Sequence, residues 1–294
     1  MSAEEKITEG VEVNQWQTWY NNFDENYGPE ERRKWYSQAA KAYRWARPTY
    51  PDALVDEVIR KAGLTPGNSV LEMGCGPGIA TQSFAERGLA MQCVEPSLAA
   101  CELAQQTCAE YDDVEVTNST FENFNLAGRQ FDAVLAATSF HWVSPSVACK
   151  KSAAALKPSG SLILLWATPP QPSAELGKYL QPVYAQHQLA DKIRYQWRDK
   201  AYYQANFEDL AVQVGASPRF PRTTVEMSEH TSVYSIEKYV ALLSTLSDYI
   251  ALSAETRQQL LNDLSARLTD KLKDEPLTLT HWFAAQVAPL VADA

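Results

Sequence analysis

No apolar run in this chain approaches the roughly 20 residues that a membrane-spanning helix needs; stretches such as SLILLWA, Ser161 to Ala167, are far too short. The first ten residues, MSAEEKITEG, are acidic and polar and lack the apolar centre of a secretory signal, so a cytoplasmic protein with no membrane association is expected. Lys/Arg-rich runs are missing too. With 26 Lys+Arg against 36 Asp+Glu the formal charge is −10, which repels the phosphate backbone of a nucleic acid. Cysteine is sparse and unpaired in pattern: Cys75, Cys93, Cys101, Cys108 and Cys149 are an odd number with no CxxC, so neither a zinc site nor a disulfide framework is indicated. They read as buried thiols of a reducing compartment, with Cys101 and Cys108 on one face of a helix. No clustered acids suggest a bound magnesium, and neither internal repeats nor low-complexity tracts occur.

What is present is enough to build a core: 294 residues, 45% hydrophobic and 11% aromatic. Aromatics crowd the segment 1–49, where Trp16, Tyr20, Phe23 and Tyr27 follow an i, i+4, i+7, i+11 pattern. Such a stripe must be covered, either by its own domain or, if the segment is a helical lid, by a ligand.

From residue 50 the hydrophobic pattern alternates between helix and strand with short connections, which predicts a parallel α/β sheet. Strands are expected at 68–73, 89–94, 114–117, 131–137 and 162–167, separated by helices near 79–87, 98–110 and 146–156, after a first helix at 51–63. The run 131–137 has almost no polar residue, as a mid-sheet strand buried on both faces requires. After Thr168-Pro169-Pro170-Gln171-Pro172 the rhythm becomes mainly helical, with helices near 174–188, 236–246 and 254–273, a strand near 223–227 and a last strand-like run at 277–283. The expected organisation is a lid segment (1–49), a Rossmann-like core (50–170), a helical cap carrying one sheet strand (171–276) and a final strand and tail (277–294). The fold class is α/β: a seven-stranded, mostly parallel sheet with helices on both faces.

The segment SVLEMGCGPG, Ser69 to Gly78, joins an apolar strand to a helix through an acid and a glycine-rich turn. Gly74, Gly76 and Gly78 let the backbone take positive φ and come close to a ligand lying at the strand's carboxyl end, where open α/β sheets bind. The spacing is Gly-x-Gly-x-Gly, and Ile79 stands where a dinucleotide fingerprint would place its third glycine. Glu72 would repel a pyrophosphate but suits a ligand carrying an ammonium and a sulfonium. Glu95 ends the second strand, where a carboxylate can accept from both ribose hydroxyls.

Together with CVEPS, NSTFENF, FDAVLAATSFHWV and the upstream YRWARPTYP, this segment resembles the class I S-adenosylmethionine-dependent methyltransferases, specifically the trans-aconitate methyltransferase-like branch, over about residues 35–167. The resemblance implies S-adenosyl-L-methionine as cofactor and S-adenosyl-L-homocysteine as its product. It places Glu72, Gly74, Gly76 and Gly78 against the methionine half, Glu95 and Pro96 at the ribose and adenine, and Thr120, Phe121 and Glu122 at the adenine ring. Phe121 has ordinary core packing as its rival role, and Arg47, matched to an arginine that holds the methionyl carboxylate, has a solvated surface role as its own. Tyr36 and Tyr43 match aromatics that close over that carboxylate, and Ala137, ending the fourth strand, is placed at the cofactor as well. The first 34 residues and the helical part from Ser173 onward depart from the pattern, and those are the parts that shape an acceptor site.

Methyl transfer is an in-line displacement that rests on positioning; a carboxylate acceptor needs no base, whereas a hydroxyl or protonated amine does. The candidate base is His141, four residues beyond the fourth strand and one of only four histidines. Ala137-Thr138-Ser139-Phe140 replaces the [Asn/Asp]-Pro-Pro-aromatic turn seen in enzymes that methylate a base's exocyclic amine, and no paired-glutamate loop like that of arginine methyltransferases follows the fourth strand. A small organic acceptor, methylated on a carboxylate or hydroxyl oxygen by a monomer or homodimer, is therefore expected. N-, S- and C-methylation stay open, as do a non-catalytic S-adenosylmethionine-binding protein and a nicotinamide oxidoreductase.

Overall fold

The computed structural model describes residues 29–189, 193, 198–273 and 275–292; the aromatic stripe Trp16, Tyr20, Phe23 and Tyr27 lies outside them, as does the side chain of Tyr36. The chain begins with α1 (Pro29–Ala46) and α2 (Asp52–Lys61) and then alternates: β1 (Ser69–Met73), α3 (Ile79–Ala85), β2 (Ala90–Glu95), α4 (Leu98–Thr107), β3 (Val114–Asn118), β4 (Phe131–Ala137). A single 3₁₀ turn at Phe140–Trp142 leads into α5 (Pro145–Ala155) and β5 (Leu156–Ala167). Next come α6 (Ala174–Gln186), α7 (Lys200–Gly215), β6 (Glu226–Tyr234), α8 (Ile236–Leu243), α9 (Ser247–Ile250), α10 (Ala254–Leu272) and β7 (Leu277–Pro289).

The seven strands form one sheet in the order β3-β2-β1-β4-β5-β7-β6. Strands β1 to β5 run parallel, and β7 is antiparallel to both β5 and β6. This is the expected mostly parallel Rossmann-like sheet. Helices cover both faces of the sheet. Val55 and Val58 of α2, Ile79 and Phe84 of α3 and Ala104 of α4 pack on one face. Ala148 and Ala153 of α5 and Phe207 and Val214 of α7 pack on the other. Strand β4 feeds both layers, Val134 and Ala136 one and Ala133 and Leu135 the other, which is why it carries so little polarity.

A separate apolar cluster joins α6, α8, α9 and α10: Leu260, Leu264 and Leu268 make one stripe at four-residue spacing against Leu180, Tyr184, Tyr239 and Leu242. Side chains of Ser173, Asp199, Ser235 and Ser253 cap α6, α7, α8 and α10 by accepting an otherwise orphaned backbone N–H.

Four elements differ from expectation. Lys157-Pro158-Ser159-Gly160 does not merely stop a helix but lies inside β5, where the register shifts as Phe131 pairs with Leu156 and Ala133 with Ser161. Strand β6 runs from Glu226 to Tyr234 instead of near 223–227; as an edge strand it exposes one face, so its alternating polar sequence hides it from a search for apolar runs. Strand β7 continues past Phe283 to Pro289 because its Ala-rich half pairs along β5, Ala284 to Ala288 opposite Trp166 to Leu162. Helix α7 was not foreseen. No helix among the described residues is long and apolar enough to cross a membrane.

Candidate functional site

At the carboxyl ends of β1, β2 and β4 the structure opens a cavity of about 460 Å³, within the roughly 300–1,000 Å³ range of small-molecule sites. The turn after β1 shapes its floor. Gly74 has φ +66°, and a Cβ built there would stand 2.9 Å from the Cβ of Ser139, so only glycine fits between β1 and the loop after β4. Gly78 is the residue before α3, with φ +85° and room for a Cβ only 3.1 Å from the backbone of Ala104. Ser139 fastens the two strand ends together by donating to the carbonyl of Met73.

Two carboxylates face this turn. Glu95 is fixed by backbone, its Oε2 accepting from Gly76 N at 3.0 Å and its Oε1 from Ser97 N at 2.8 Å. Glu72 is fully buried; its Oε2 accepts from the Thr81 hydroxyl at 2.6 Å and from the Cys93 thiol at 3.6 Å. Burial pushes both acids up to about 7, opposed by those hydrogen bonds. Neither forms an ion pair with Lys or Arg among the described residues. A site with two such acids suits a cation, because bringing positive charge in removes the cost of ionising them.

Of the residues expected at the site, Tyr43, Arg47, Glu72, Gly74, Gly76, Glu95, Pro96, Thr120, Phe121, Glu122 and Ala137 all line this cavity. Gly78 lies just behind it, setting the helix start. Tyr36 is on α1, but its side chain lies outside the described residues. His141 is not among the lining residues; it sits in the 3₁₀ turn with its ring 4.9 Å from that of Trp142, which does line the cavity. His141 keeps some exposed surface, yet its dense surroundings pull it down to about 4 by desolvation, so it is neutral at pH 7.

Several lining residues carried no signal in the sequence. Tyr50 is buried against Phe283, and its hydroxyl lies 2.8 Å from Thr138 Oγ1, which also accepts from Ala167 N at 3.0 Å. Thr138 takes φ +55°, a costly backbone for a β-branched residue and one that clusters at functional sites. Burial raises Tyr50, so the phenol keeps its proton and is no base. Thr81 and Cys93, which hold Glu72, were likewise missed; only their spacing from the motif on α3 and β2 could have flagged them.

Helix α1 lines the cavity through Ala40 and Tyr43 and packs against α8. Arg47 stacks on Tyr43, its guanidinium carbon 4.8 Å from the ring centroid, and donates to Thr245 through Nε at 2.9 Å and through Nη2 to the carbonyl at 3.2 Å. Tyr234 donates to the carbonyl of Ala46 at 2.6 Å, and the hydroxyls of Ser37 and Ser97 meet at 2.9 Å. Lys151 of α5 donates to the carbonyls of Glu122 and Phe124 at 2.8 and 2.5 Å and holds the loop that carries the lining residues Thr120, Phe121 and Glu122.

Comparison with known proteins agrees with this geometry. Residues 70–160, from β1 into β5, match the model of the methyltransferase domain family. An uncharacterized methyltransferase of Mycobacterium tuberculosis is 33% identical over 133 residues, 45% of this chain and 52% of that protein, so the chain matches about half the length of that relative. A methyltransferase candidate of Dictyostelium discoideum is 25% identical over 251 residues, 85% of this chain and 88% of that protein. Among solved structures, a type II methyltransferase candidate from Anaeromyxobacter dehalogenans superposes with a TM-score of 0.57 at 18% identity, covering 83% of this chain and 97% of that one; the likeness is one of fold. The matched segment contains the acid–glycine turn and the strands at whose carboxyl ends the cavity opens, so the part of the chain that resembles a methyltransferase domain is the part that builds the cavity floor.

Proposed function

We propose that the protein is an S-adenosylmethionine-dependent methyltransferase that O-methylates a small organic acceptor on a carboxylate or hydroxyl, in the manner of the trans-aconitate methyltransferase-like branch. The observation that carries the reading is one cavity in which a glycine turn, two cation-free buried acids and a cationic arginine converge. Bound S-adenosylmethionine supplies a methyl group on a sulfonium and departs as S-adenosylhomocysteine.

The chain's own residues do the rest. Glu95 accepts from the ribose, Phe121 and Pro96 flank the adenine, and Glu122 or a neighbouring amide reads its amino edge. Glu72 and the Gly74–Gly76–Gly78 turn face the methionine half, with Arg47, Tyr43 and Tyr36 at its carboxylate. Ala137 lies at the cofactor, and Thr138 and Tyr50 lie toward the acceptor, where the hydroxyl pair can hold an acceptor oxygen. Segment 1–49 acts as a lid, residues 50–170 bind the cofactor and residues 171–276 form a cap that shapes the acceptor pocket and excludes water. His141, the candidate base for a hydroxyl acceptor, does not line the cavity. Because it is held near 4, a carboxylate acceptor, which needs no base, suits the site best.

Screening small carboxylic acids, phenols and amines for conversion of S-adenosylmethionine to S-adenosylhomocysteine tests the reading. Turnover with acids or phenols is expected. Turnover confined to amines would replace O- with N-methylation; tight cofactor binding without turnover across the panel would leave a non-catalytic binding protein, and binding of NAD(H) in place of S-adenosylmethionine would end the proposal.

A further inference from the structure

Glu72 uses only one of its oxygens within the protein. Oε2 is committed as acceptor to Thr81 and Cys93, while Oε1 is buried with no hydrogen-bond partner among the described residues. A protonated carboxyl carries its hydrogen on one oxygen, and an oxygen already accepting two donors is the wrong place for it. The proton of this acid therefore belongs on Oε1, the oxygen left for the cavity that Glu72 lines.

The groups facing Glu72 cannot neutralise it. Cys93 and Glu95 approach from β2, Thr81 from α3, Cys75 from the glycine turn, Cys108 from the end of α4 and Tyr50 from the segment before α2. Each is a neutral donor or a second acid. Arg47, the cation among the lining residues, is tied to Thr245 and Tyr43. An ionised carboxylate in such a place is uncompensated, and desolvation accordingly pushes Glu72 up to about 7.

We infer that Glu72 is a carboxylic acid in the ligand-free site and surrenders its Oε1 proton when an ammonium-bearing nucleoside enters, with Thr81 as the positioning residue that leaves that oxygen free. The O–H bond breaks, the proton passes to solvent, and the carboxylate closes on the ligand's ammonium; no other bond changes. The site thereby selects by charge: a nucleoside thioether without an α-amino group leaves the proton in place. The inference rests on the S-adenosylmethionine reading and goes beyond it in assigning the protonation state and the residue that sets it.

Calorimetric titration of the full chain with S-adenosylhomocysteine and with 5′-methylthioadenosine, which lacks the amino-acid tail, provides the test when run in two buffers of different ionisation enthalpy. Any proton lost from Glu95 to the ribose is common to both ligands, so the difference between them reports Glu72. That difference is expected to be about half a proton at pH 7 and to approach one at pH 6. It vanishes in Glu72→Gln. In Thr81→Val the pH of half-maximal release moves upward, because a bond to the ionised form is lost, and Thr81→Ser restores it. Equal proton counts for the two ligands in the wild-type protein would overturn the inference while leaving the cofactor reading intact, whereas binding of neither ligand would sink both. Should Glu72→Gln fail to fold, the wild-type difference and the Thr81 pair decide.

Discussion

The half of the cavity we assign to the nucleoside and the half we assign to the acceptor differ in how far apart in the chain their parts lie. Glu72, Gly74, Gly76, Thr81 and Glu95 come from one strand–turn–helix–strand unit, and the hydrogen bonds among them span at most 19 residues. The other half, together with the anchoring of α1 that carries Tyr43 and Arg47, is stitched across the molecule: Tyr50 to Thr138 over 88 residues, Ala46 to Tyr234 over 188 and Arg47 to Thr245 over 198. A site assembled within one β-α-β unit forms with that unit. One assembled from remote segments depends on α1 and the α6–α10 cluster docking on the sheet, and it can vary without disturbing its neighbour. A domain that keeps one cofactor and changes acceptors needs that division.

The comparison breaks most severely at Gly74. In Gly74→Val the left-handed backbone and the 2.9 Å approach to Ser139 cannot coexist with a branched side chain, so nucleoside binding is expected to fall by more than about 100-fold in calorimetry. Next is Glu95→Ala, which strips acceptors from Gly76 N and Ser97 N as well as from the ligand; affinity for S-adenosylmethionine should drop by about 1–3 kcal/mol. Unchanged affinity would remove Glu95 from the ribose.

The long-range anchoring of α1 is probed by Thr245→Val, which releases the Arg47 Nε. Affinity for S-adenosylmethionine, whose carboxylate Arg47 is proposed to hold, should fall several-fold, about 1 kcal/mol, while that for 5′-methylthioadenosine, which lacks the carboxylate, stays level. An equal loss in both measurements would show that the halves are not independent. The smallest effect concerns stability. An acid whose folded-state pKa is raised contributes stability below its unfolded value and loses it as pH rises through the folded one, here from about 4.5 to about 7. Ligand-free Glu72→Gln should therefore melt above the wild type at pH 8, by about 2–4 °C for each kcal/mol of relief, and the gap should close near pH 4.5.

Much of the nucleoside half was legible in the sequence because each part obeys a local rule. An acid ends a strand, glycines follow where φ turns positive, and a second acid ends the next strand. Phe121 and Glu122 were found by resemblance, and they line the cavity because Lys151 draws their loop in, a contact no local pattern announces. The acceptor half was legible only in part. Tyr50 reads as one more aromatic before a helix, and Thr138 as an ordinary residue after a strand; nothing short of the fold reveals that they meet or that Thr138 is strained. His141 shows the reverse case, a histidine conspicuous in sequence whose ring the fold turns against Trp142 outside the set of residues that line the cavity.

Taken by itself, the order of amino acids determined the α/β class, the positions of the parallel strands β1 to β4 and the chemistry of the turn after β1, because these follow from side-chain periodicity and backbone sterics within a few residues. Tertiary structure alone decided the edge pairing of β6 with β7, the meeting of Arg47 with Thr245 and of Tyr50 with Thr138, and the burial of one oxygen of Glu72 without a hydrogen-bond partner among the described residues. Those outcomes depend on which surfaces exclude water from one another, and that is fixed only when distant segments pack.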